Sequence, residues 1–332
     1  MTTADTVITR RHAALDLRVL GPILALIALV LVGALLNPNF LSPGNVTNVL
    51  SRSAFIGIIA VGMTFVITSG GLDLSVGAMA AFIAGLMILV MNALLPTMGM
   101  GLPLVLVGMA TALAVGGLAG AVNGFLITTM RIEAFIVTLG TMGIYRSLVT
   151  WMSDGGTLSL DFALRSYIRP IYFDGILGIA WPILAFALIA VLGEVVMRRG
   201  AFGRHAAAVG SNAQVARYSS VDVNRVRMLG YLSLGLLVGV ATILYVPRLG
   251  SASPSTGTLW ELEAIAAVII GGTMLKGGFG RVWGTVIGVL ILSLIDNILN
   301  LTDGVSPYLN GAIQGVIIIL AVILQRERKA GA

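Results

Sequence analysis

The sequence predicts an all-α membrane protein, a polytopic helical bundle of about ten transmembrane helices, because it combines very few charges with long apolar runs. Hydrophobic residues make up 58% of the 332 residues and charged residues 10%, and the mean hydropathy is +1.01. Soluble domains carry roughly 25% charged residues. This chain therefore has too few charges to cover a water-facing surface, and a soluble fold is excluded.

Apolar runs of roughly 18–25 residues match a hydrocarbon core about 30 Å thick. The predicted spans cover residues 19–36, 48–69, 74–95, 103–129, 134–152, 178–197, 228–247, 261–275, 283–300 and 309–325. The eighth run is short and ends in glycines, which leaves a broken or tilted helix as an alternative to a complete crossing. The first run follows basic residues like a secretory signal, but it is nearly long enough to span and no small-residue cleavage site follows, so it is interpreted as a retained span.

The basic residues set the predicted orientation. With the N-terminus inside, 15 of the 20 Lys and Arg residues fall in cytoplasmic segments, as expected for loops that stay in the cytoplasm. We therefore expect N- and C-termini that are both cytoplasmic: an N-terminal segment 1–18, a transmembrane domain 19–325 and a tail 326–332. Because topology explains the net charge of +6, no nucleic-acid partner is expected.

The chain offers no set of residues for catalysis or for metal binding. It has no cysteine and two histidines, which both lie in polar segments, so a metal site is not expected. The stretch "GGTMLKGGFG" (271–280) lacks the Gly-Lys-Ser/Thr of a nucleotide-binding loop. It is typical of a tight turn with glycines in the left-handed conformation. An enzyme is not predicted, nor is a cofactor bound by this chain.

A second glycine turn, "SGGLDLSVG" (69–77), falls between two spans on the cytoplasmic side. Gly70 and Gly71 are expected to end one helix. Asp73 or Ser75 is expected to cap the next helix by accepting hydrogen bonds from its first free N–H groups. A role at the inner mouth of a transport pathway is the alternative.

Charged residues inside the spans are few, and charge at membrane depth usually faces a cavity or another charge. Arg146 lies within the fifth span and Asp296 in the outer half of the ninth. A structural Arg146–Asp296 pair, a polar contact with a pathway, and snorkelling to the outer surface all remain open. Glu194 precedes Arg198 by four residues, which predicts a local ion pair at a helix end.

Glycines four residues apart let helices approach closely in lipid. They occur as Gly116, Gly120 and Gly124, and again as Gly280, Gly284 and Gly288. These motifs predict a compact bundle, with a subunit interface or a pathway lining as alternatives.

One long polar segment, 198–227, interrupts the apolar chain on the cytoplasmic side. Within it, "SNAQ" (211–214) is a Ser-x-x-Gln capping box, which predicts a short helix that begins at Ser211. Asp222 is expected to cap the seventh span. The residues alone leave two interpretations equally open, a helix on the membrane surface and a docking helix for a cytoplasmic partner.

Several motifs together resemble the permease subunits of bacterial ABC importers for monosaccharides, the ribose/xylose/galactose class. They run in family order over nearly the whole chain: "GMTFVITSGGLDLSVGAM", "GAVNGFLITTMRIEAFIVTLGTMGIYRS", "AVGSNAQVARYSSVDVNRVRMLGY", "RLGSASPSTGTLWELEAIAAVIIGGTMLKGGFGRVWGT" and "GVIIILAV". The related branched-chain amino-acid permease is the alternative. A secondary carrier that acts alone is disfavoured because intramembrane carboxylates are sparse.

The resemblance implies a pathway between two permease subunits, identical or paralogous, with cytoplasmic ABC ATPase subunits that bind ATP-Mg and a periplasmic sugar-binding protein. It also implies that the short cytoplasmic helix fits the ATPase. On that basis the coupling role is assigned to Gly210, Ser211, Asn212, Gln214, Ala216 and Arg217. Their charge and their predicted side make Arg165, Arg169 and Arg248 candidates for docking the binding protein.

Overall fold

The protein is described by a computed structural model that covers residues 17–302 together with residues 311, 312, 315, 316 and 319. The all-α prediction is confirmed for this part of the chain, in which strands are limited to short pairs. Six helices within it are long and apolar enough to cross a membrane. They are α2 (Pro43–Thr68), α3 (Val76–Met98), α4 (Leu102–Thr128), α8 (Trp181–Arg198), α11 (Val223–Leu249) and α13 (Val282–Leu301).

The described residues contain seven further helices. They are α1 (Leu17–Leu36), α5 (Ala134–Met152), α6 (Phe162–Ile168), α7 (Pro170–Phe173), α9 (Ala201–Ser211), α10 (Ala213–Tyr218) and α12 (Trp260–Ile270). Four two-residue strands complete the described chain. β1 (Leu158–Ser159) pairs antiparallel with β4 (Ser251–Ala252), and β2 (Gly175–Ile176) pairs antiparallel with β3 (Ile179–Ala180).

Each of the first nine predicted spans coincides with a helix. For the eighth, the broken-helix alternative is confirmed, because α12 has 11 residues and ends at Ile270. Gly272, with φ +88°, then turns the chain in a conformation that suits glycine. The tenth predicted span, 309–325, falls mostly outside the described residues, as do the segments 1–18 and 326–332.

α2 is the central helix of the bundle. Of its most apolar stretch, 83% is buried within the protein, against 33% for α8 and α13, so those two helices lie nearer the periphery. α2 packs against α11, α13, α8 and α12. A helix surrounded in this way needs apolar residues all round, and α2 has little difference between its faces.

The predicted glycine motifs lie at helix contacts. α4 and α11 form the most extensive pair in the described chain. A Cβ on Gly116 would overlap the carbonyl oxygen of Gly235, and one on Gly120 would overlap the carbonyl oxygen of Tyr231. Gly288 of α13 lies equally close to Ala267 of α12. Close backbone approach through small residues, as predicted for a compact bundle, is confirmed.

The connections between helices gather at two ends of the bundle. One, the α9–α10 end, holds residues 69–75, 129–133, 199–222 and 271–281. The other, the α6–α7 end, holds residues 37–42, 99–101, 153–180 and 250–259. The β1–β4 pair joins two connections of the α6–α7 end.

Candidate functional site

Three connections meet at the α9–α10 end through glycines. A Cβ on Gly210, near the end of α9, would overlap the carbonyl oxygen of Thr68 and the amide nitrogen of Gly278. The Gly278 N–H donates to that Thr68 oxygen at 2.9 Å. A Cβ on Gly277 would lie 2.9 Å from the Cα of Gly70 and 3.0 Å from the Cα of Gly210. We call Gly70, Gly210, Gly277 and Gly278 the glycine contact, since it presses three backbone segments together without intervening side chains.

Backbone conformation is a second reason for glycine at this contact. Gly70, Gly277 and Gly278 have φ of +79°, +83° and +84°, where a side chain is strained. The prediction of a tight turn with left-handed glycines in residues 271–280 is confirmed. The contact of this turn with α9 was not predicted.

The polar segment folds onto the start of α11 as a small unit with its own core. Its buried side chains are Ala206, Val209, Ala216, Val223 and Val226. The outer face of α10 is uncovered: Val215 is 57% exposed and Tyr218 79% exposed, and Gln214 and Arg217 are exposed beside them. α10 is therefore a short platform, supported from within and open to a partner.

The predicted capping box is wrong by one residue. Ser211 is the last residue of α9, and Asn212 caps α10, with its Oδ1 accepting from the N–H groups of Gln214 and Val215 at 3.0 Å each. Asn212 has the extended backbone that a cap needs, with φ −160° and ψ 103°. Ser211 instead packs against Gly278, and the Gln214 side chain donates to the Tyr218 hydroxyl at 3.2 Å. The predicted cap at Asp222 is confirmed, since its Oδ1 accepts from the Arg225 N–H at 3.0 Å.

The prediction that Asp73 or Ser75 caps α3 with its side chain is also wrong. Ser75 stands at the cap position without a side-chain capping bond. Asp73 is fully buried, and its Oδ1 accepts from the Ser75 N–H at 2.8 Å and from the Ser75 hydroxyl at 2.6 Å. Burial raises the pKa of this carboxyl above its ordinary value of 3.8, while hydrogen bonds from Ser75 and Asn123 oppose the shift.

Two residues that the sequence analysis did not single out hold this turn. The Asn123 amide donates to Asp73 Oδ2 at 3.1 Å and to the Ser75 hydroxyl oxygen at 3.0 Å. The Tyr231 hydroxyl donates to the Leu72 carbonyl oxygen at 3.0 Å and accepts from the Leu72 N–H at 3.2 Å. The turn is thus fastened to both α4 and α11. A lone asparagine within the small-residue run "GAVNG" was the available signal.

Glu194 has a wider role than its predicted local pair. The pair with Arg198 is confirmed at 3.4 Å. Its other oxygen, Oε2, accepts from the N–H groups of Val282 and Trp283 at 3.0 and 3.2 Å. Because the first N–H groups of a helix have no partner within it, Glu194 acts as a cap for α13 and ties α8 to it.

Arg146 contacts backbone carbonyl groups rather than Asp296. Its guanidinium donates to the carbonyl oxygens of Pro254 and of Thr256, the latter at 2.6 Å, in the segment before α12. The carboxylate whose charge acts on it is Glu261. Asp296 lies on α13, which packs with α1, α2, α8 and α12, whereas α5 packs with α3 and α4. Of the three interpretations that the sequence left open for Arg146, the pair with Asp296 is the one that this packing excludes, because α5 and α13 do not pack against each other.

The three arginines predicted to dock a partner share the α6–α7 end. Arg165 and Arg169 are exposed, and Arg169 lies 4.7 Å from the centre of the Phe173 ring. Arg248 is half-buried, 5.8 Å from the centre of the Phe55 ring and 5.7 Å from that of Tyr172. Arg165 and Arg169 are thus available to a partner, while Arg248 mainly holds aromatic side chains.

Comparison with known proteins places the chain among transport proteins. A family model described as "Branched-chain amino acid transport system / permease component" matches residues 45–322. The ribose import permease protein RbsC of Bacillus subtilis is 41% identical over 314 residues, which cover 94% of each chain. RbsC of Escherichia coli K12 is 35% identical over 92% of this chain and 93% of its own. The E. coli K12 xylose transport system permease protein XylH is 32% identical, covering 95% and 93%.

These matches extend over nearly all of the chain and include both ends of the bundle. Together with the six membrane-length helices, they make this a multi-pass protein of the inner membrane and a transport subunit, not itself an enzyme. The chain belongs to the family of bacterial ABC importer permeases that includes the ribose and xylose permeases.

Proposed function

We propose that this chain, with a second identical or paralogous permease subunit, forms the pathway by which a monosaccharide or related polyol enters the cell. The names of its relatives, which import ribose or transport xylose, support the substrate class. A periplasmic sugar-binding protein delivers the substrate, and cytoplasmic ABC ATPase subunits bind ATP-Mg and drive the cycle. The α9–α10 end faces the cytoplasm and the α6–α7 end the periplasm. Most basic residues lie in the segments that this orientation puts inside.

The glycine contact is the observation that supports coupling through α10. α10 presents an exposed face to the ATPase, while its inner face packs on α9 and α11. α9 in turn touches the backbone at the end of α2 and in the turn before α13. Since no flexible side chain separates these segments, a displacement of α10 moves the central helix and α13 together.

The energetic form of the mechanism is a two-state equilibrium. Each partner shifts it only by the difference in its affinity for the outward-facing and inward-facing states. Closure of the ATPase pair on ATP favours one position of α10, and the binding protein favours one arrangement of the α6–α7 end. The permease supplies the connection and carries out no chemistry.

Because the chain has no cysteine, single cysteines report on orientation and docking. We expect Val215→Cys to react with a membrane-impermeant maleimide only from the cytoplasmic side, and binding of the ATPase should block the reaction. Leu177→Cys, at a 96% exposed position of the α6–α7 end, is the matched control. It should react only from the periplasmic side, and binding of the ATPase should not change its labelling.

Uptake completes the test. Maleimide attached to the Val215→Cys variant should abolish uptake of ribose or xylose, and the same variant without the label should retain it. Labelling of this variant that the ATPase leaves unchanged would contradict docking at α10. Uptake of leucine in place of either sugar would instead favour the branched-chain amino-acid alternative.

A further inference from the structure

A cavity of about 450 Å³ opens at the α9–α10 end, between the end of α4, the start of α11 and α10. Sites for small molecules commonly measure roughly 300–1,000 Å³. Three arginines from three different segments line it: Arg131 from the turn after α4, Arg217 from α10 and Arg227 from α11. Among the described residues that line the cavity, Glu133 is the one carboxylate, so their charged groups leave a net charge of +2.

Arg227 has a buried donor available for a ligand. Its Nε is buried and has no hydrogen-bond partner among the described residues. The carboxylate of the fully buried Asp73 is not its acceptor, because it accepts hydrogen bonds from Ser75 and Asn123 instead. A buried guanidinium N–H without an acceptor is costly, and an anion in the cavity would satisfy it.

Arg131 points independently to the same cavity. Its φ of +58° is left-handed, at a position after a helix where glycine is usual. An arginine is strained there, whereas glycine is not. The backbone alone therefore does not account for this residue, while a guanidinium in the cavity lining does.

We propose that this cavity binds a phosphate group, which belongs either to a soluble phosphate or to the headgroup of an anionic phospholipid. Guanidinium groups match the oxygens of phosphate through paired hydrogen bonds. Asn224 and Thr128, which also line the cavity, supply hydrogen-bonding groups for hydroxyls on a larger ligand. A bound phosphate bridges α10 to α4 and α11. On the proposed function, it holds the coupling helix at rest, but the binding itself does not rest on that function.

The test uses the full chain in nanodiscs. In discs of phosphatidylcholine alone, inorganic phosphate is titrated against chloride at equal ionic strength and the melting temperature is recorded. In discs that also contain phosphatidylglycerol, native mass spectrometry counts the retained lipids. The variants are Arg131→Gly and Arg227→Gln, and the control is Arg225→Gln, an exposed arginine of α11 outside the cavity lining.

We expect both cavity variants to weaken binding by about tenfold or more, and the control to behave as wild type. Arg131→Gly should not lower the melting temperature without phosphate, because glycine suits φ +58°. Loss of binding in this variant is thus separable from loss of fold.

The two arms identify the source. Stabilisation by inorganic phosphate that is lost in the variants assigns a soluble phosphate. Retention of phosphatidylglycerol that is lost in the variants, without a response to inorganic phosphate, assigns the lipid headgroup. If the wild type exceeds the variants in neither arm, the proposal is overturned. It is equally overturned if Arg227→Gln weakens only association with the ATPase, since the cavity then receives a protein carboxylate.

Discussion

The two ends of the bundle differ in how much side-chain packing their connections contain. At the α9–α10 end, Gly70, Gly210 and Gly277 bring three backbones into direct contact. At the α6–α7 end, two connections pair through β1 and β4, but the space around Arg248 is filled by side chains, since its guanidinium lies against the rings of Phe55 and Tyr172. Backbone contact leaves no room for adjustment, whereas side chains move between rotamers. The first end is suited to passing on a displacement, and the second to presenting a surface.

The largest expected effect is at the glycine contact. Gly210→Ala places a Cβ against the Thr68 carbonyl oxygen and the Gly278 nitrogen, so the contact must open. We expect a loss on the order of 3 kcal/mol in the free energy of unfolding, together with a loss of uptake. A thermal melt and an uptake assay measure these.

Gly44→Ala is the matched control at the other end. Gly44 is an exposed residue in the first turn of α2, and no atom of the described part of the chain lies within 4 Å of an added Cβ. Alanine should be neutral or slightly stabilising there. Equal melting temperatures for the two variants would remove the distinction drawn between the ends.

How much of this could be predicted from sequence depends on the range of the interaction. Spans follow from local apolar length, so nine helices were placed correctly in the described chain. The Asp222 cap and the Glu194–Arg198 pair are likewise local and were predicted. The contact of Arg146 stayed open at the level of sequence, because its partners, Pro254 and Thr256, are distant in sequence.

The α9–α10 end shows why local patterns are not sufficient. Ser211 and Asn212 both suit a helix cap, and the choice between them depends on Gly278 packing against Ser211. Similarly, Asp73 follows a capping pattern, but Asn123 of another helix gives it a buried partner instead. In both cases a tertiary contact outweighs the local preference.

A smaller effect is expected in the turn that adjoins the glycine contact. Asp73→Leu leaves the Ser75 N–H, the Ser75 hydroxyl and the Asn123 amide without their acceptor. We expect a loss of roughly 1–3 kcal/mol by thermal melting. Asp73→Asn should cost less than Asp73→Leu, because rotation of the Asn123 amide brings its own oxygen, which has no partner among the described residues, towards the new NH₂ group.

The pH dependence separates the two protonation states of Asp73. Burial raises the pKa of this carboxyl above 3.8 in the folded protein. Its contribution to stability is therefore complete below pH 3.8, where the carboxyl is protonated in the folded and the unfolded protein. That contribution declines as the pH rises from 3.8 through the folded pKa. Above pH 3.8, the stability of the Asp73→Asn variant should depend less on pH than that of the wild type. A steeper decline in the variant would show that the carboxyl is held ionised.

The smallest effect on stability is expected at the α6–α7 end. Arg165 and Arg169 are exposed, and exposed charges usually change stability by less than about 0.5 kcal/mol. Arg165→Glu combined with Arg169→Glu should therefore leave the melting temperature unchanged. If these residues meet acidic patches on the binding protein, association of the double variant should weaken several-fold at low salt and recover relative to wild type as salt is added.

Arg248→Lys is the contrasting variant, because Arg248 contacts two rings within the protein. It should lower the melting temperature and leave the salt dependence of association unchanged. The opposite pattern in these two measurements would show that this end, like the other, is held by fixed internal contacts.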